Sequence, residues 1–260
     1  MKIALIDSGI GLLAAAAAIR RLRPDADLIL SSDPDGMPWG PRTAPDLRRR
    51  VLTAAQAAAA HRPDALIIAC NTATVHALPV VKAALEPMIP IIGTVPAVKT
   101  AVATGGPVAI WATPATTGSS YQTGLIHRYA AGVQVTEIAC PGLAHAVQHA
   151  DPSAIRETVA EAARRTPAGV TDVVLGCTHY ELVASQIRAA LRRPSLITPV
   201  LRGSADAVAA QALRRLNGTP AAATTGDGRL TVLLSGRESA LPTAALAYTA
   251  GRHISIPALA

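Results

Sequence analysis

Two cysteines in this chain have the neighbours that thiol acid–base chemistry needs. Cys70 is followed by Asn71, and Cys177 is followed by Thr178 and His179. In both places an apolar run ends at the cysteine and polar residues begin. A thiol with a modestly shifted pKa exists as thiol or thiolate near neutral pH, so it can accept or deliver a proton. The repetition predicts a two-base site acting on a small anion.

The elements around the two cysteines predict where the thiols lie. The apolar runs Ala65–Ile68 and Asp172–Leu175 are typical of buried strands, and helical patterns follow over residues 74–85 and 181–191. Both cysteines should therefore lie at carboxyl ends of strands, the edge where open α/β sheets bind ligands. A helix beginning at that edge directs unpaired N–H groups at an anion and favours the thiolate.

Strand and helix patterns alternate along nearly the whole chain. Strands are predicted over residues 2–6, 27–30, 65–69, 89–92, 108–112, 133–138, 172–175, 195–198 and 229–234. This alternation predicts an α/β fold with two similar lobes, each an open, mainly parallel sheet flanked by helices.

Two segments, 93–96 and 198–203, are predicted to cross between the lobes. The first lobe would then comprise residues 1–95 plus 204–260 and carry Cys70, and the second would comprise 96–203 and carry Cys177. A cleft between the lobes would bring the two thiols face to face.

The composition argues against nucleic acid and membrane as partners. The net charge is +7, but 21 of the 24 basic residues are arginine, scattered through amphipathic helices. The tightest run, Arg48-Arg49-Arg50, has no aromatic neighbours for base stacking, and aromatics are 2% of the chain. No apolar stretch reaches the roughly 18 residues that a membrane span needs. Three cysteines without close spacing indicate a reducing cytoplasm rather than a disulfide framework.

Five short motifs follow one another along the chain: Asp7-Ser8-Gly9, Pro38-Trp39-Gly40, Cys70-Asn71-Thr72, Thr113 with Thr116, and Cys177-Thr178-His179-Tyr180. Cys140-Pro141 lies before the last motif, and Thr224-Thr225-Gly226-Asp227 lies near the end. With these motifs in this order the chain resembles the glutamate racemases of the aspartate/glutamate racemase superfamily. The likeness covers nearly the whole chain, and the paired cysteine motifs are its most specific part.

The resemblance implies cofactor-independent interconversion of L- and D-glutamate, with D-glutamate supplied for peptidoglycan. One thiolate would remove the α-proton while the opposing thiol delivers a proton to the other face. By resemblance Cys70 and Cys177 are those groups, and Asp7 and His179 assist them. The matching substrate-binding positions are Ser8, Trp39, Gly40, Asn71, Thr72, Thr113, Thr116 and Thr178. No cofactor or metal is implied, the partner is a small amino acid, and the oligomeric state stays open, a homodimer included.

Several residues also have a plainer interpretation. Cys140 has no polar motif around it and is expected to be a buried small hydrophobe. Thr113 and Thr116 could be the N-cap and a first-turn residue of the next helix. The glycines after Asp7 do not form a G-x-G-x-x-G pattern, and an acidic residue there would repel a phosphate.

A metal site is a further alternative for the cysteine motifs. Cys70, His76, Cys177 and His179 supply suitable ligand types, but their spacings are not those of closed zinc sites. The sequence therefore favours acid–base chemistry over metal binding.

The chain departs from the family pattern near the site. Trp39 stands where the family usually has tyrosine, and Gln148 stands where it usually has a glutamate near the second cysteine. Gln148 cannot carry the negative charge that would favour an imidazolium at His179. Leu12 and Glu181 replace the second glycine of the first turn and the proline after Tyr180.

These departures leave alternatives open. The first is a racemase of aspartate or another amino acid with the same chemistry. The others are a decarboxylase or isomerase of the superfamily and a non-catalytic basic binding protein. The intact pair Cys70 and Cys177, with Asp7 and His179, argues against the decarboxylase or isomerase. Only Gln148, Trp39 and the net charge support the binding protein.

Overall fold

A computed structural model of the chain describes residues 1–194, 197–217, 219 and 225–255. Its first elements are β1 (Lys2–Asp7), α1 (Leu13–Leu22), β2 (Asp27–Ser32), α2 (Ala44–Ala59), β3 (Ala65–Ile68), α3 (Asn71–Leu85), β4 (Ile91–Gly93), α4 (Val98–Val102), β5 (Val108–Ala112), α5 (Ser120–Tyr129) and β6 (Val135–Ala139). The later ones are α6 (Leu143–Gln148), α7 (Pro152–Arg165), β7 (Asp172–Leu175), α8 (Thr178–Glu181), α9 (Ala184–Leu191), β8 (Val200–Arg202), α10 (Ala205–Leu216), β9 (Leu230–Leu234), β10 (Arg237–Glu238), α11 (Thr243–Leu246) and α12 (Thr249–Ser255).

The chain divides into two compact units. Unit 1 comprises Met1–Val95 and Ala205–Ala260, and unit 2 comprises Pro96–Ser204. Unit 1 is therefore built from both ends of the chain, with unit 2 inserted between them. Each unit contains one of the two cysteine motifs.

Unit 1 is organised around a six-stranded sheet in the order β10-β9-β2-β1-β3-β4. All neighbours are parallel except β10, which is antiparallel to β9. The register places Asp7 opposite Ser32 and Ile6 opposite Ile68, so β1, β2 and β3 end at the same edge. That edge carries the first cysteine motif.

Unit 2 contains a four-stranded, fully parallel sheet in the order β6-β5-β7-β8. Strands β5 and β7 are buried along their whole length and are rich in Val, Ile and Trp, as expected for a sheet covered on both faces. Trp111 pairs with Leu175 in register, so β5 and β7 end side by side. The predicted α/β class with two mainly parallel sheets is confirmed.

Helices α2 and α3 cover one face of the unit 1 sheet with small side chains. Ala54, Ala55 and Ala58 of α2 share a buried cluster with Ala73 and Ala77 of α3. Short side chains let the two helices approach closely while Ile and Leu of the strands fill the space beneath them. The alanine excess of the sequence is thus used in helix packing.

Three local predictions need correction. The helix after Cys70 begins at Asn71 rather than at residue 74, and the one after Cys177 is split into α8 and α9. A strand over 195–198 is wrong at residues 197 and 198, since β8 begins at Val200. Residues 195 and 196, and Thr224 of the motif near the end, lie outside the described residues. Among the described helices none is long and apolar enough to cross a membrane.

Candidate active site

Cys70 lies at the junction of β3 and α3. Its backbone is extended, with φ −143° and ψ 125°, and it is the N-cap residue of α3. The Cys70 carbonyl accepts the Thr74 N–H at 2.9 Å, the first turn of a 15-residue helix. The thiol side chain is half-buried and packs against the buried cluster that contains the alanines of α2 and α3, which we call the α2/α3 cluster. The positive end of α3 therefore lies at this thiol.

Asp7 ends the neighbouring strand. Its side chain is almost fully buried, and Oδ1 accepts hydrogen bonds from Ser8 Oγ at 3.2 Å and from Gly9 N at 3.3 Å. The Ala69 N–H donates to the Ile6 carbonyl at 2.8 Å, which keeps β1 and β3 together up to the residue before Cys70. A carboxylate held this way can bind an ammonium group or orient a neighbouring thiol.

Two threonines that sequence reasoning missed secure the end of β3. Thr94 Oγ1 donates to the Ile68 carbonyl at 2.8 Å, and Thr74 Oγ1 donates to the same oxygen at 3.3 Å. The Thr94 N–H in turn donates to Thr74 Oγ1 at 2.9 Å. The signal available in the sequence was Thr94 itself, a polar residue inside the Gly93-Thr94-Val95-Pro96 segment. These bonds fix the backbone two residues before Cys70.

The Pro38-Trp39-Gly40 motif lies in the segment between β2 and α2. The Trp39 side chain is 1% exposed and belongs to the α2/α3 cluster, while Gly40 is half-buried. Because the indole faces the interior of unit 1, the parts of this motif that remain for a ligand are the backbone and the exposed Pro38. We call Asp7, Ser8, Gly40, Cys70, Asn71 and Thr72 the Cys70 group.

Cys177 occupies the corresponding position in unit 2, between β7 and α8. Its backbone angles, φ −134° and ψ 135°, are close to those of Cys70, and it is the N-cap of α8. Gly176 precedes it at a close approach, where its N–H donates to the Trp111 carbonyl at 2.7 Å and a Cβ would lie 2.8 Å from that oxygen. Helix α8 is a single turn, so the helix dipole predicted at Cys177 is weaker than the one at Cys70.

His179 connects Cys177 to Gln148. His179 Nδ1 lies 3.9 Å from Cys177 Sγ, and Nε2 lies 3.0 Å from Gln148 Oε1. Gln148 is the last residue of α6, which packs against α8. Helix α6 begins after Gly142, whose φ of +76° is a left-handed conformation that glycine adopts without strain. The assignment of Gln148 beside His179 was made by resemblance, and the structure places it there.

Burial determines the charge of His179. Loss of solvent around the ring lowers the pKa of His179 to about 4, so the imidazole is neutral at pH 7. If Nε2 donates to Gln148 Oε1, the unprotonated Nδ1 faces the Cys177 thiol. A turn of the Gln148 amide would present its NH₂ instead and favour the other tautomer. A glutamine therefore accommodates both tautomers of a neutral histidine.

Thr113 and Thr116 lie in the turn that follows β5. Their hydroxyl oxygens are 3.1 Å apart, and the Thr116 N–H donates to the Thr113 carbonyl at 2.9 Å. The N-cap interpretation is wrong, because Ser119 caps α5 by accepting the Gln122 N–H. Neither threonine hydroxyl therefore caps α5, and both residues are half-buried. We call Thr113, Thr116, Gln148, Cys177, Thr178 and His179 the Cys177 group.

Cys140 is different from the other two cysteines. It is buried, and burial raises the pKa of its thiol to about 12, so it stays protonated at neutral pH. Its carbonyl accepts the hydroxyl of the fully buried Tyr180 at 3.4 Å. The prediction that Cys140 is a structural small hydrophobe is confirmed. Across the described parts of the chain, no three His, Cys, Asp or Glu side chains are grouped to hold a metal ion.

The chain has two α/β units, and each carries a cysteine at a strand–helix junction. Comparison with known proteins tests which class of protein has this arrangement. The family model Asp/Glu/Hydantoin racemase matches residues 12–220. The chain belongs to this family of racemases.

Curated relatives agree with the family. The chain is 36% identical over 241 residues to a glutamate racemase from Roseiflexus sp. (strain RS-1), covering 86% of this chain and 87% of that protein. It is 35% identical over 223 residues to a glutamate racemase from Granulibacter bethesdensis, covering 82% and 77%.

Solved structures have the same fold. Escherichia coli glutamate racemase, in complex with L-glutamate and the activator UDP-MurNAc-ala, matches with a TM-score of 0.80 and 25% identity over 95% of this chain and 91% of that one. Thermus thermophilus glutamate racemase, in complex with beta-chloro-D-alanine, matches with a TM-score of 0.69 and 27% identity over 98% and 92%.

Proposed function

We propose that this racemase interconverts L- and D-glutamate without a cofactor, with Cys70 and Cys177 as its two acid–base groups. The observation that carries the proposal is the equivalence of the two cysteines. Each follows a central parallel strand, each is a half-buried N-cap residue, and their backbone angles differ by about ten degrees. On this proposal the Cys70 thiol is the acid–base group for one face of the α-carbon, and the Cys177 thiol is the acid–base group for the other face.

The chemistry requires a proton to be taken from a carbon next to a carboxylate. That proton is very weakly acidic, so donors must be oriented in advance toward the charge that develops. In the proposed mechanism one thiolate removes the α-proton and the carbanion is protonated on its opposite face by the other thiol. Each cysteine is then the base in one direction and the acid in the other.

The remaining residues have separate proposed roles. Asp7, buried at the end of β1, orients the Cys70 thiol or the substrate ammonium group. The Thr113 and Thr116 hydroxyls and the Thr178 side chain donate to substrate oxygens in unit 2. In unit 1, polar contacts to the substrate come from Ser8, Gly40, Asn71 and Thr72. Neutral His179 exchanges a proton with Cys177 through Nδ1.

Glutamate is favoured as substrate because the relatives named above are glutamate racemases and one was solved with L-glutamate. On this proposal the product D-glutamate supplies peptidoglycan synthesis in the cytoplasm. The family model spans aspartate and hydantoin racemases as well, so the substrate side chain is the property that experiment has to determine.

The test uses purified protein incubated in D₂O with single L-amino acids: glutamate, aspartate, glutamine and alanine. We expect α-deuteration and D-product with glutamate. Dialysis against EDTA should change neither, because the described residues contain no group of three metal-ligating side chains. Borohydride should change neither, because the three lysines lie outside the cysteine motifs. Preferred turnover of another amino acid would reassign the substrate. Absence of α-deuteration with every amino acid would contradict the reaction type.

A further inference from the structure

We propose that Asp33 is a positioning residue for the Pro38-Trp39-Gly40 segment and acts through the indole N–H of Trp39. The inference rests on the proposed function, since it concerns how the segment that carries Gly40 is held beside the Cys70 group. The family resemblance gives Asp33 no role, and the sequence alone did not single it out.

Asp33 lies at the same sheet edge as the Cys70 group. It directly follows β2, and its N–H donates to the Asp7 carbonyl at 3.2 Å. Its side chain is 6% exposed. A carboxylate buried to this degree requires hydrogen-bond or ionic partners to offset the loss of solvent.

The first partner is Trp39. Trp39 Nε1 donates to Asp33 Oδ2 at 3.0 Å, in a bond shielded from solvent. The indole packs in the α2/α3 cluster with Ile68 and Ala73, and the Cys70 side chain packs against the same cluster. An indole N–H can only donate, so a buried tryptophan needs an acceptor at this place, and Asp33 supplies it. The bond fixes the direction of the ring and with it the backbone that leads to Gly40.

The second partner is Arg50 on α2. Arg50 Nη1 lies 3.2 Å from Asp33 Oδ2 and 3.4 Å from Oδ1, and Ser235 Oγ lies 3.4 Å from Oδ1. The backbone of Gly36 lies against this ion pair, because a Cβ added to Gly36 would collide with Asp33 Oδ2 and Arg50 Nη1. The Asp33 carboxylate at the end of β2 therefore contacts both the segment between β2 and α2 and helix α2 itself.

This arrangement has a consequence for binding. A site that stabilises a carbanion needs its donors held in place before the substrate arrives. The backbone at Gly40 has no side chain of its own to hold it, so its position depends on Trp39. Asp33 fixes Trp39 from the interior, while Arg50 fixes Asp33.

The experiment measures racemisation of glutamate by Asp33→Leu, which keeps the size of the side chain but removes the acceptor, by Trp39→Phe and by the double variant, with Arg50→Gln added. We expect KM to rise tenfold or more in each single variant, with a smaller change in kcat, because the segment that binds substrate moves. The double variant should lose no more activity than the worse of these two single variants, because both substitutions remove the same hydrogen bond between Trp39 Nε1 and Asp33 Oδ2. Arg49→Gln is the matched control. Arg49 and Arg50 are neighbours on α2 and both contact Asp46, but of these two described residues only Arg50 forms an ion pair with Asp33. The Arg49 variant should stay within twofold of wild type.

A second readout reports binding without turnover. The chain has two tryptophans, so Trp39 is the only one in Trp111→Phe protein. In that background we expect saturable quenching or enhancement of Trp39 emission by glutamate, and an apparent Kd at least tenfold higher after Asp33→Leu.

The outcomes separate the two proposals. Wild-type turnover with unchanged KM in Asp33→Leu and Trp39→Phe overturns the positioning role, and so does a lowered Tm as the sole effect. Additive losses in the double variant also overturn it. Wild-type protein that turns over no amino acid means failure of the proposed function, and the present inference fails with it.

Discussion

Gln148 Oε1 lies 3.0 Å from His179 Nε2, so the histidine next to Cys177 is supported by a neutral amide. His179 is buried and burial lowers its pKa to about 4. A carboxylate in the place of the amide would favour the protonated ring, whereas an amide leaves the neutral ring as the stable form. His179 is therefore a neutral imidazole at pH 7, with Nδ1 3.9 Å from Cys177 Sγ.

Gln148→Glu should move the pH profile of the reaction. The new carboxylate raises the pKa of His179 from about 4, so the ring becomes protonated at higher pH and the acid limb of kcat/KM shifts upward. A shift on the order of one pH unit is expected for the reaction direction in which Cys177 removes the α-proton. A smaller shift is expected for the direction in which Cys70 removes it. Profiles recorded from L- and D-glutamate provide the measurement.

The matched control is Gln148→Met, which removes the amide without adding charge. It should lower activity without moving the acid limb upward. Profiles of Gln148→Glu that superimpose on wild type in both directions would show that the residue 148 side chain does not act on the reaction.

His179 should also make folding stability depend on pH. Its pKa is lowered from 6.5 to about 4 in the folded state, so the unfolded chain binds more protons between these values. The stabilising contribution is fully present above pH 6.5 and is lost as the pH falls toward 4. The loss is on the order of 3 kcal/mol, from about 1.4 kcal/mol per pKa unit.

Urea unfolding at pH 7 and at pH 4.5, for wild type and His179→Gln, measures this contribution. The difference between the two proteins should shrink or change sign at the lower pH. His149→Gln, at an exposed histidine of the same unit, is the control for general acid effects. Parallel stability curves for wild type and His179→Gln would contradict the lowered pKa.

Cys70→Ala and Cys177→Ala should each abolish racemisation in both directions, since each thiol serves one face of the α-carbon. Cys140→Ala is the control, because the pKa of the buried Cys140 thiol is raised to about 12 and it stays protonated. It should keep turnover within about threefold of wild type, at a cost in stability of about 1 kcal/mol. Turnover from both enantiomers is measured with circular dichroism as the folding check. Near-normal turnover in either of the first two variants would refute the two-thiol assignment.

Thr116→Val should raise KM for glutamate by about tenfold, the size expected for losing one hydrogen bond to a charged group. The Thr116 hydroxyl lies 3.1 Å from that of Thr113 in the turn after β5, and neither hydroxyl caps a helix. Thr123→Val, at an exposed position on α5, is the matched control and should leave KM unchanged. Initial rates over a range of glutamate concentrations decide the point. Equal KM values for the two variants would remove Thr116 from substrate binding.

The sequence was informative where pattern and position coincide. Alternating strands and helices predicted the α/β class, and the end of each apolar run located Cys70 and Cys177 at strand ends. The start of α3 was placed three residues late, because Asn71 and Thr72 look like loop residues until the N-cap role of Cys70 is known. The predicted position of β8 is too early in the chain, because a strand of only three residues next to a loop shows little periodicity.

Contacts between distant parts of the chain were beyond the sequence. Nothing near Asp33 predicts that it accepts the Trp39 N–H and pairs with Arg50, because both contacts depend on how the loop folds back onto α2. Likewise Thr94 and Ile68 are 26 residues apart, and their hydrogen bond follows from the pairing of β3 with β4. Gln148 beside His179 was reached only through resemblance.

The pairing of β9 with β2 has a consequence for synthesis on the ribosome. Val232 lies opposite Leu30 in register, so one edge of β2 is covered by a strand that the ribosome makes about 200 residues later. Until then β2 presents unpaired backbone groups, the kind of edge that promotes aggregation. Residues 96–204 are continuous in the chain and can finish folding while the ribosome is still reading the rest. Unit 1, although its first strands are made before unit 2, is therefore completed after unit 2.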